Sequence, residues 1–600
     1  MVKFNGVADK AALFIQKEQL FDTALWSKFV DVFRSQPDST DRGWKCEYWG
    51  KMMRGGALVY EYTRDQRLYD ILTDTIKDIL TVAEFDGRVS GYSRETEFDG
   101  WDLWGRKYVL LGCEYYLDIC KDDALKQNII YFMCRCADYI VENIGSGKKE
   151  ITSASRHWFG MNSSSILEPI VKLYNITECK KYLNFASYIV ECGGAKGINI
   201  FQLAYENKLY PYQYGVSKAY EMMSCFEGLL EYYYVTGDEK YRQAVINFGN
   251  AVIKSEISII GSCGITHELF DHTRMRQTVA YDGVMQETCV TVTWMKFCSR
   301  LLELTGDSIY ADEMEKSFYN AYLGSINTEH KESKYAIEKK TVSTFLPFDS
   351  YSPLTPGVRG KKVGGFQILP DNSYYGCCAC IGAAGVGVFL KNAIICNEKG
   401  IFINFFEAGA ACLNYKGVDV NITVETKYPA DGKIRLVVKS QKPVRFVLNI
   451  RSPGWSNLPS GYISCDREWH DDTIDIEYQM PLVFHTPEKW DQDIVYIDTS
   501  AKVDGFYTAS SVNVSHCEQD DKYVAITRGP ITLAADSRIG KAADSKFDFD
   551  AARENEIIDD AECIIKLKFA DDNYDSFCLI DYASAGRDWE SVIAAWLPIQ

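Results

Sequence analysis

The sequence predicts a multidomain α + β protein, a ring or solenoid of about six helical hairpins followed by two β-rich units. Three observations carry this. A degenerate turn recurs through the first two thirds of the chain at near-constant spacing, the hydrophobic period changes from helical to alternating near Gly400, and the bulk composition is that of a soluble globular chain. Apolar residues make up 46% and charged residues 25% of the 600, which excludes disordered, collagen-like and membrane-embedded readings. On length alone the chain holds roughly two to four domains.

The recurring turn reads Tyr62 to Tyr69, Ile176 to Tyr182, Val235 to Tyr241 and Leu304 to Tyr310, with a weaker copy at Ile119 to Asp122. Thr63, Cys120, Thr177, Thr236 and Thr305 mark it at spacings of 57, 57, 59 and 69 residues, about two helices with their loops. Gly237 and Gly306 can take the left-handed conformation that ends a helix. Asp238 and Asp307 can cap the next, and the tyrosine that follows packs back. After the last copy, Met314, Phe318, Tyr319 and Tyr322 fall on one helix face and supply a closing hairpin.

From Gly400 the pattern has period two. Gly400 to Phe406, Val418 to Val424, Ile434 to Val438, Val444 to Ile450 and Thr473 to Tyr478 read as short sandwich strands. Beyond residue 500, Tyr523 to Ile526 and Ile564 to Lys568 are strand-like, and the acidic stretch Ser537 to Asp560 reads as a mobile loop. The chain is thus expected to divide into 1–395, 396–500 and 501–600.

The net charge of −18 repels nucleic acid and anionic membranes at long range. No stretch is long and apolar enough to span a bilayer, and the first residues lack a secretory signal, so the expected location is cytoplasmic. Most of the 20 cysteines, such as Cys113, Cys134 and Cys225, are then reduced core residues. The exceptions are those clustered at ligand spacing. Cys377 and Cys378 lie on one turn and can face a soft cation. Glu287 and Cys289, two residues apart, can complete a four-coordinate Zn²⁺ site, with Cys380 a rival for one place.

Glu287-Thr288-Cys289 with its following helix and Leu304 to Asp307, then Cys377-Cys378, Arg451 to Trp455, Met480-Pro481 and Ile526 to Pro530 occur in this order over roughly residues 45–535. In this the chain resembles the β-L-arabinofuranosidase superfamily of glycoside hydrolases, centred on family 127 with family 146 close by, as a divergent member. The resemblance implies an (α/α)₆ helical barrel as catalytic domain, followed by β-sandwich (jelly-roll-like) domains. It implies a zinc held by Glu287, Cys289, Cys377 and Cys378, with Cys377 the nucleophile of a retaining glycosidase acting on a β-L-arabinofuranoside-like or related linkage. Zinc coordination would deprotonate and aim that thiol. The family's acid/base lies 16 residues before the Glu-Thr-Cys glutamate, which gives Asp271 by spacing, whereas residue type gives Glu268. Both stay open, and His267 is either a substrate contact or a structural hydrogen-bonder.

Where the family carries pocket histidines, this chain has Lys218, Trp101 to Tyr108 and Gly160 to Ser165. Trp101, Trp104, Trp158 and His157 offer aromatic faces suited to sugar rings. Lys218 and Arg106, if they line the pocket, suit an acidic substituent. The competing readings are a catalytically silent carbohydrate-binding scaffold with a structural zinc, and an uronyl hydrolase or lyase using carboxylates near Asp99 and Glu268. The partners to expect are an oligosaccharide or glycoside, no nucleic acid and no membrane, with a homodimer open.

Overall fold

The computed structural model describes residues 2–39, 43–264, 268–278, 286–337, 340–361, 365–488, 494–498, 502–503, 506–507, 510–514, 522–548, 555–569 and 576–599. Six helices form a closed inner ring: α1 (Tyr48–Thr63), α2 (Asp102–Ile119), α3 (Leu167–Thr177), α4 (Ala219–Thr236), α5 (Thr288–Thr305) and α6 (Cys377–Ala393). Each packs on the next, and α6 packs back on α1. Outside them run Gln66–Leu80, Asp123–Asn143, Lys180–Glu191, Glu239–Ser255 and Ile309–Ser317, with Thr23–Ser35 packed on Gln66–Leu80. The (α/α)₆ barrel followed by β domains is therefore the fold. Among the described residues, no helix is long and apolar enough to cross a membrane.

The recurring turn is the hinge between inner and outer helices. Residues after four of the inner helices, Arg64, Glu178, Gly237 and Gly306, are left-handed, and Asp238 accepts a hydrogen bond from the Lys240 amide as an N-cap. The threonine itself does more than mark the position. Thr236 and Thr305 each donate to the carbonyl four residues back, at 2.9 and 2.7 Å, and accept the amide two residues on, at 3.4 and 3.1 Å, so one hydroxyl ties the helix end to the turn. The weak copy departs as its sequence does, since Cys120 is extended and has no such hydroxyl. After Ser317 the expected helix continues as a π-helical turn, Phe318–Tyr322, with Met314, Phe318, Tyr319 and Tyr322 all buried. The closing inner helix comes only later in the chain, after the hairpins Glu332–Ile337/Lys340–Phe345 and Phe366–Ile368/Tyr374–Gly376.

Close approach of α6 to α1 depends on small residues. A Cβ on Gly55 would lie 2.5 Å from the Ala383 Cβ and 2.9 Å from the Ala384 nitrogen. Any larger residue there would push the ring open at its seam.

Two sheets follow. The first has seven strands in the order Val2–Phe4, Gly409–Tyr415, Val418–Thr426, Lys433–Ser452, Gly400–Ile403, Ile394–Asn397, with Gly461–Glu477 also on Lys433–Ser452. The two strands expected at 434–438 and 444–450 are one long strand with a register shift between Lys439 and Val444. The second sheet has eight strands and takes in Leu482–His485, Tyr523–Arg528, Ile531–Asp536 and Asn555–Ile558, the last within the segment expected to be a loop.

The Arg451 to Trp455 motif grips the barrel. The buried Arg451 guanidinium bonds Asp312 and Glu315 of Ile309–Ser317, the Gly454 amide donates to Asp312 at 2.9 Å, and Trp455 Nε1 to Glu315 at 3.3 Å. Tyr428 adds a 2.6 Å hydrogen bond to Glu315. Removing one member leaves buried carboxylates uncompensated, so Arg451→Met should lower stability by about 3–5 kcal/mol. Urea denaturation followed by tryptophan fluorescence tests this, and an unchanged midpoint would show the clamp to be dispensable.

Candidate active site

Ring closure sets the first turns of α5 and α6 side by side. Glu287 is the N-cap of α5 and Cys289 its second residue; Cys377 and Cys378 open α6 after an extended Gly376. Both helices present their amide ends here, where the local field favours anions and thiolates. The donor atoms of Glu287, Cys289, Cys377 and Cys378 all lie within 4.8 Å of one another, and all four residues are buried. Cys289 Sγ is 3.5 Å from Cys377 Sγ and 3.4 Å from Cys378 Sγ, and the Cys377–Cys378 separation is 3.9 Å. Glu287 Oε1 is 3.9 Å from Cys377 Sγ and 3.4 Å from Cys378 Sγ. A tetrahedral cation with bonds of about 2.3 Å to sulfur and about 2.0 Å to oxygen has edges of about 3.8 Å S···S and about 3.5 Å S···O. The set fits such an ion, and Cys380, although buried, is not one of the four.

Burial pushes the Cys289 and Cys378 thiols and the Glu287 carboxyl up. Hydrogen bonds from Cys289 and Cys378, joined by the charges of Lys51 and Lys218, hold Cys377 well below the usual thiol range. Cys377 is also the thiol that lines a cleft of about 390 Å³ at this end of the ring. Gly365 faces it with φ +61°, and a Cβ there would sit 1.9 Å from Cys377 Sγ, so only glycine leaves the sulfur open.

Glu268 and Asp271, undecided by sequence, occupy different places. Glu268 lines the cleft at φ 64°, paired with Lys218 and accepting the Tyr351 hydroxyl at 2.6 Å. Backbone contacts hold it against the start of α4, with the Ala219 amide donating to the Glu268 carbonyl at 3.0 Å. Asp271 is 1% exposed, bonds Arg276 Nη1 at 2.8 Å and accepts the Thr273 hydroxyl at 2.8 Å, and does not line the cleft. His267 lies outside the described residues.

Trp101, Trp104, Trp158 and His157 all line the cleft. Trp101 stacks on His157 at 5.5 Å and 23°, and meets Trp104 edge-on at 6.0 Å. The two cations differ in placement. Lys218 reaches the cleft, but its ammonium is taken by Glu268 and lies 5.3 Å from the Trp158 ring centroid. Arg106 does not line the cleft, being buried with Glu97 and Asp102. Asp99 is held by Arg156.

Sequence reasoning missed Trp44, Glu47, Lys51, Tyr220, Glu221 and Gly365, which also line the cleft, and Tyr351 behind Glu268. Lys51 Nζ bonds Glu47 at 2.9 Å, contacts Cys289 Sγ at 3.8 Å and lies 4.6 Å from the Tyr220 ring centroid. Glu47, whose carboxyl burial pushes up to about 7, also accepts the Trp104 Nε1–H. One clue was available: Glu47 and Lys51 are charged residues one turn apart at the start of an inner helix, where all residues from Tyr48 to Tyr60 are buried.

Residues 10–341 match the family described as β-L-arabinofuranosidase, GH127 catalytic domain, and residues 400–482 the GH127 middle domain. The chain is 22% identical over 358 residues to a non-reducing end β-L-arabinofuranosidase of Bifidobacterium longum subsp. longum, covering 54% of this chain and 50% of that protein. It thus spans about half the length of this curated relative. In fold it is similar to a GH127 β-L-arabinofuranosidase from Geobacillus stearothermophilus T6, with a TM-score of 0.73 at 17% identity over 100% of both chains. A second GH127 β-arabinofuranosidase superposes with a TM-score of 0.72 at 18% identity, over 100% of this chain and 96% of that one. With the catalytic-domain match alone spanning more than half of its residues, the chain belongs to the GH127 β-L-arabinofuranosidase family.

Proposed function

We propose that the protein is a retaining glycoside hydrolase for a β-L-arabinofuranoside-like linkage, with Cys377 as nucleophile, Glu268 as acid/base and zinc held by Glu287, Cys289, Cys377 and Cys378. The catalytic unit is the barrel within 1–395, followed by β-rich units at about 396–500 and 501–600; the sheets cross these bounds, since Val2–Phe4 edges the first sheet and Leu482–His485 belongs to the second. One observation carries the reading: a buried Glu/Cys₃ cluster opens onto an aromatic cleft through one sulfur, with a carboxylate on the same cleft wall. Activities named for the relatives motivate the choice of sugar.

Zinc, when bound, would keep the coordinating thiols deprotonated and fix their direction. Cys377 Sγ then attacks the anomeric carbon, and the glycosidic C–O bond breaks with its electron pair leaving on oxygen. Glu268 supplies the proton to that oxygen. In the second half, Glu268 takes a proton from water, the water oxygen bonds the anomeric carbon, and the C–S pair returns to sulfur. Two inversions give retention. Lys218 and Tyr351 fix the Glu268 carboxyl, and Trp101, Trp104, Trp158 and His157 wall the sugar.

Cys377→Ala should reduce turnover of 4-nitrophenyl β-L-arabinofuranoside by about 10³-fold or more, and activity surviving this change would overturn the nucleophile assignment. Protein purified under reducing conditions should carry about one equivalent of zinc by plasma mass spectrometry, reduced in Cys289→Ser and Cys378→Ser. Zinc far below one equivalent in the unmodified chain would sink the ligand set. Glu268→Gln should lower kcat by about 10²–10⁴-fold. Asp271→Asn, which breaks a buried pair with Arg276, should lower the thermal midpoint and leave the pH–rate profile in place; the reverse pattern would return the acid/base role to Asp271.

A further inference from the structure

Among the described residues four carboxyl groups line the cleft, and three of them have work. Glu47 is bonded to Lys51 and Trp104, Glu268 to Lys218 and Tyr351, and Glu287 Oε1 meets the thiols. The fourth, Glu221, is in the first turn of α4, three residues after Lys218, and lines the same cavity. It is 2% exposed, and its Oε2 has no hydrogen-bond partner. A buried carboxylate oxygen without a donor is costly, and proteins seldom keep one at a concave site without a function for it. The cations nearest in charge, Lys218 and Lys51, are both bonded elsewhere, to Glu268 and Glu47.

We propose that Glu221 is a specificity-determining residue whose carboxylate accepts a hydrogen bond from one hydroxyl of a neutral glycone bound in the cleft. The assignment rests on the glycosidase reading above and extends it to substrate class. With the two ammonium groups that line the cleft among the described residues engaged by Glu47 and Glu268, and a carboxyl oxygen beside them without a donor, the site disfavours a carboxylated sugar and favours one that can donate. Burial pushes the Glu221 carboxyl up to about 7 against the charges of Lys218 and Lys51 and a hydrogen bond from its own backbone amide, and no side chain donates to its Oε2.

The experiment pairs substitutions at Glu221 with deoxy substrates. The 2-, 3- and 5-deoxy forms of 4-nitrophenyl β-L-arabinofuranoside are assayed with the unmodified enzyme, the near-isosteric Glu221→Gln, and Glu221→Ala, with circular dichroism confirming that each variant is folded. One deoxy substrate should lose about 10²-fold or more in kcat/KM with the unmodified enzyme and less than about threefold with Glu221→Ala. Glu221→Gln, which keeps a neutral acceptor, should fall between them and raise KM more than it lowers kcat. Equal losses for every deoxy substrate in the unmodified enzyme and Glu221→Ala would overturn the proposal. If the unmodified enzyme hydrolyses none of the furanosides, the catalytic reading fails separately. Calorimetric binding of L-arabinose and its deoxy forms then decides Glu221: tighter binding than by Glu221→Ala, lost for one deoxy sugar, supports it, and equal or absent binding overturns it.

Discussion

The site depends on one constraint, the meeting of two helix starts where the ring closes. Thr288 and Cys377 begin neighbouring inner helices almost ninety residues apart in sequence, and only the seating of α6 between α5 and α1 brings them together. That seating needs small residues at the seam, since the α1 glycine at position 55 all but touches the backbone of α6. Four acidic donors can be buried together there because two sets of helix amides face them and Lys51 and Lys218 stand nearby. Without those partial and full charges, burial alone would keep every thiol protonated.

The barrel does not carry this arrangement by itself. The hairpin Phe366–Ile368/Tyr374–Gly376 delivers the chain to the start of α6, and the Trp44 indole and the Tyr48 hydroxyl both donate to the Gly365 carbonyl, at 3.0 and 2.6 Å. At the far side, the first strand, Val2–Phe4, leaves the helical region to edge the first sheet, and Glu407 of that sheet region accepts the Ala8 amide and the Tyr319 hydroxyl at 3.2 and 3.0 Å. Asn320 receives the second sheet, donating to the Pro530 carbonyl at 2.9 Å. The motifs near Arg451 and Pro530 thus read as docking surfaces, and neither lines the cleft.

What was legible in the sequence follows from how local each feature is. The hairpin turns are set by four or five consecutive residues, so Thr236-Gly237-Asp238 and Thr305-Gly306-Asp307 could be read directly, although the threonine's bridging hydroxyl was overlooked. The donor set was legible because thiols and a carboxylate at close spacing are rare in combination. Residue counting could not separate Glu268 from Asp271, because the segment between Gly264 and Arg276 contains left-handed residues at Glu268 and His272 that turn neighbouring side chains to opposite surroundings. Lys51, Tyr351 and Gly365 come from three distant segments, and no local pattern announces their convergence. Arg106 misled for a related reason, since its partners Glu97 and Asp102 draw it into the wall.

Charge balance in the cleft bears on how a thiolate can be used there. The ammonium groups of Lys51 and Lys218 are engaged by Glu47 and Glu268, while Glu221 and Glu287 each keep an oxygen without a partner. If Cys377 acts as the nucleophile proposed above, its surroundings match a neutral ring better than an acidic one, because a carboxylated sugar would meet Glu221 and the thiolate together. In the proposed reaction the anomeric carbon would gain positive character in the transition state, where the same surroundings become favourable. Under the proposed mechanism, an acidic cleft walled by tryptophan would oppose anionic substrates in the ground state and help the reacting centre later, which would tie selection of the sugar to the chemistry performed on it.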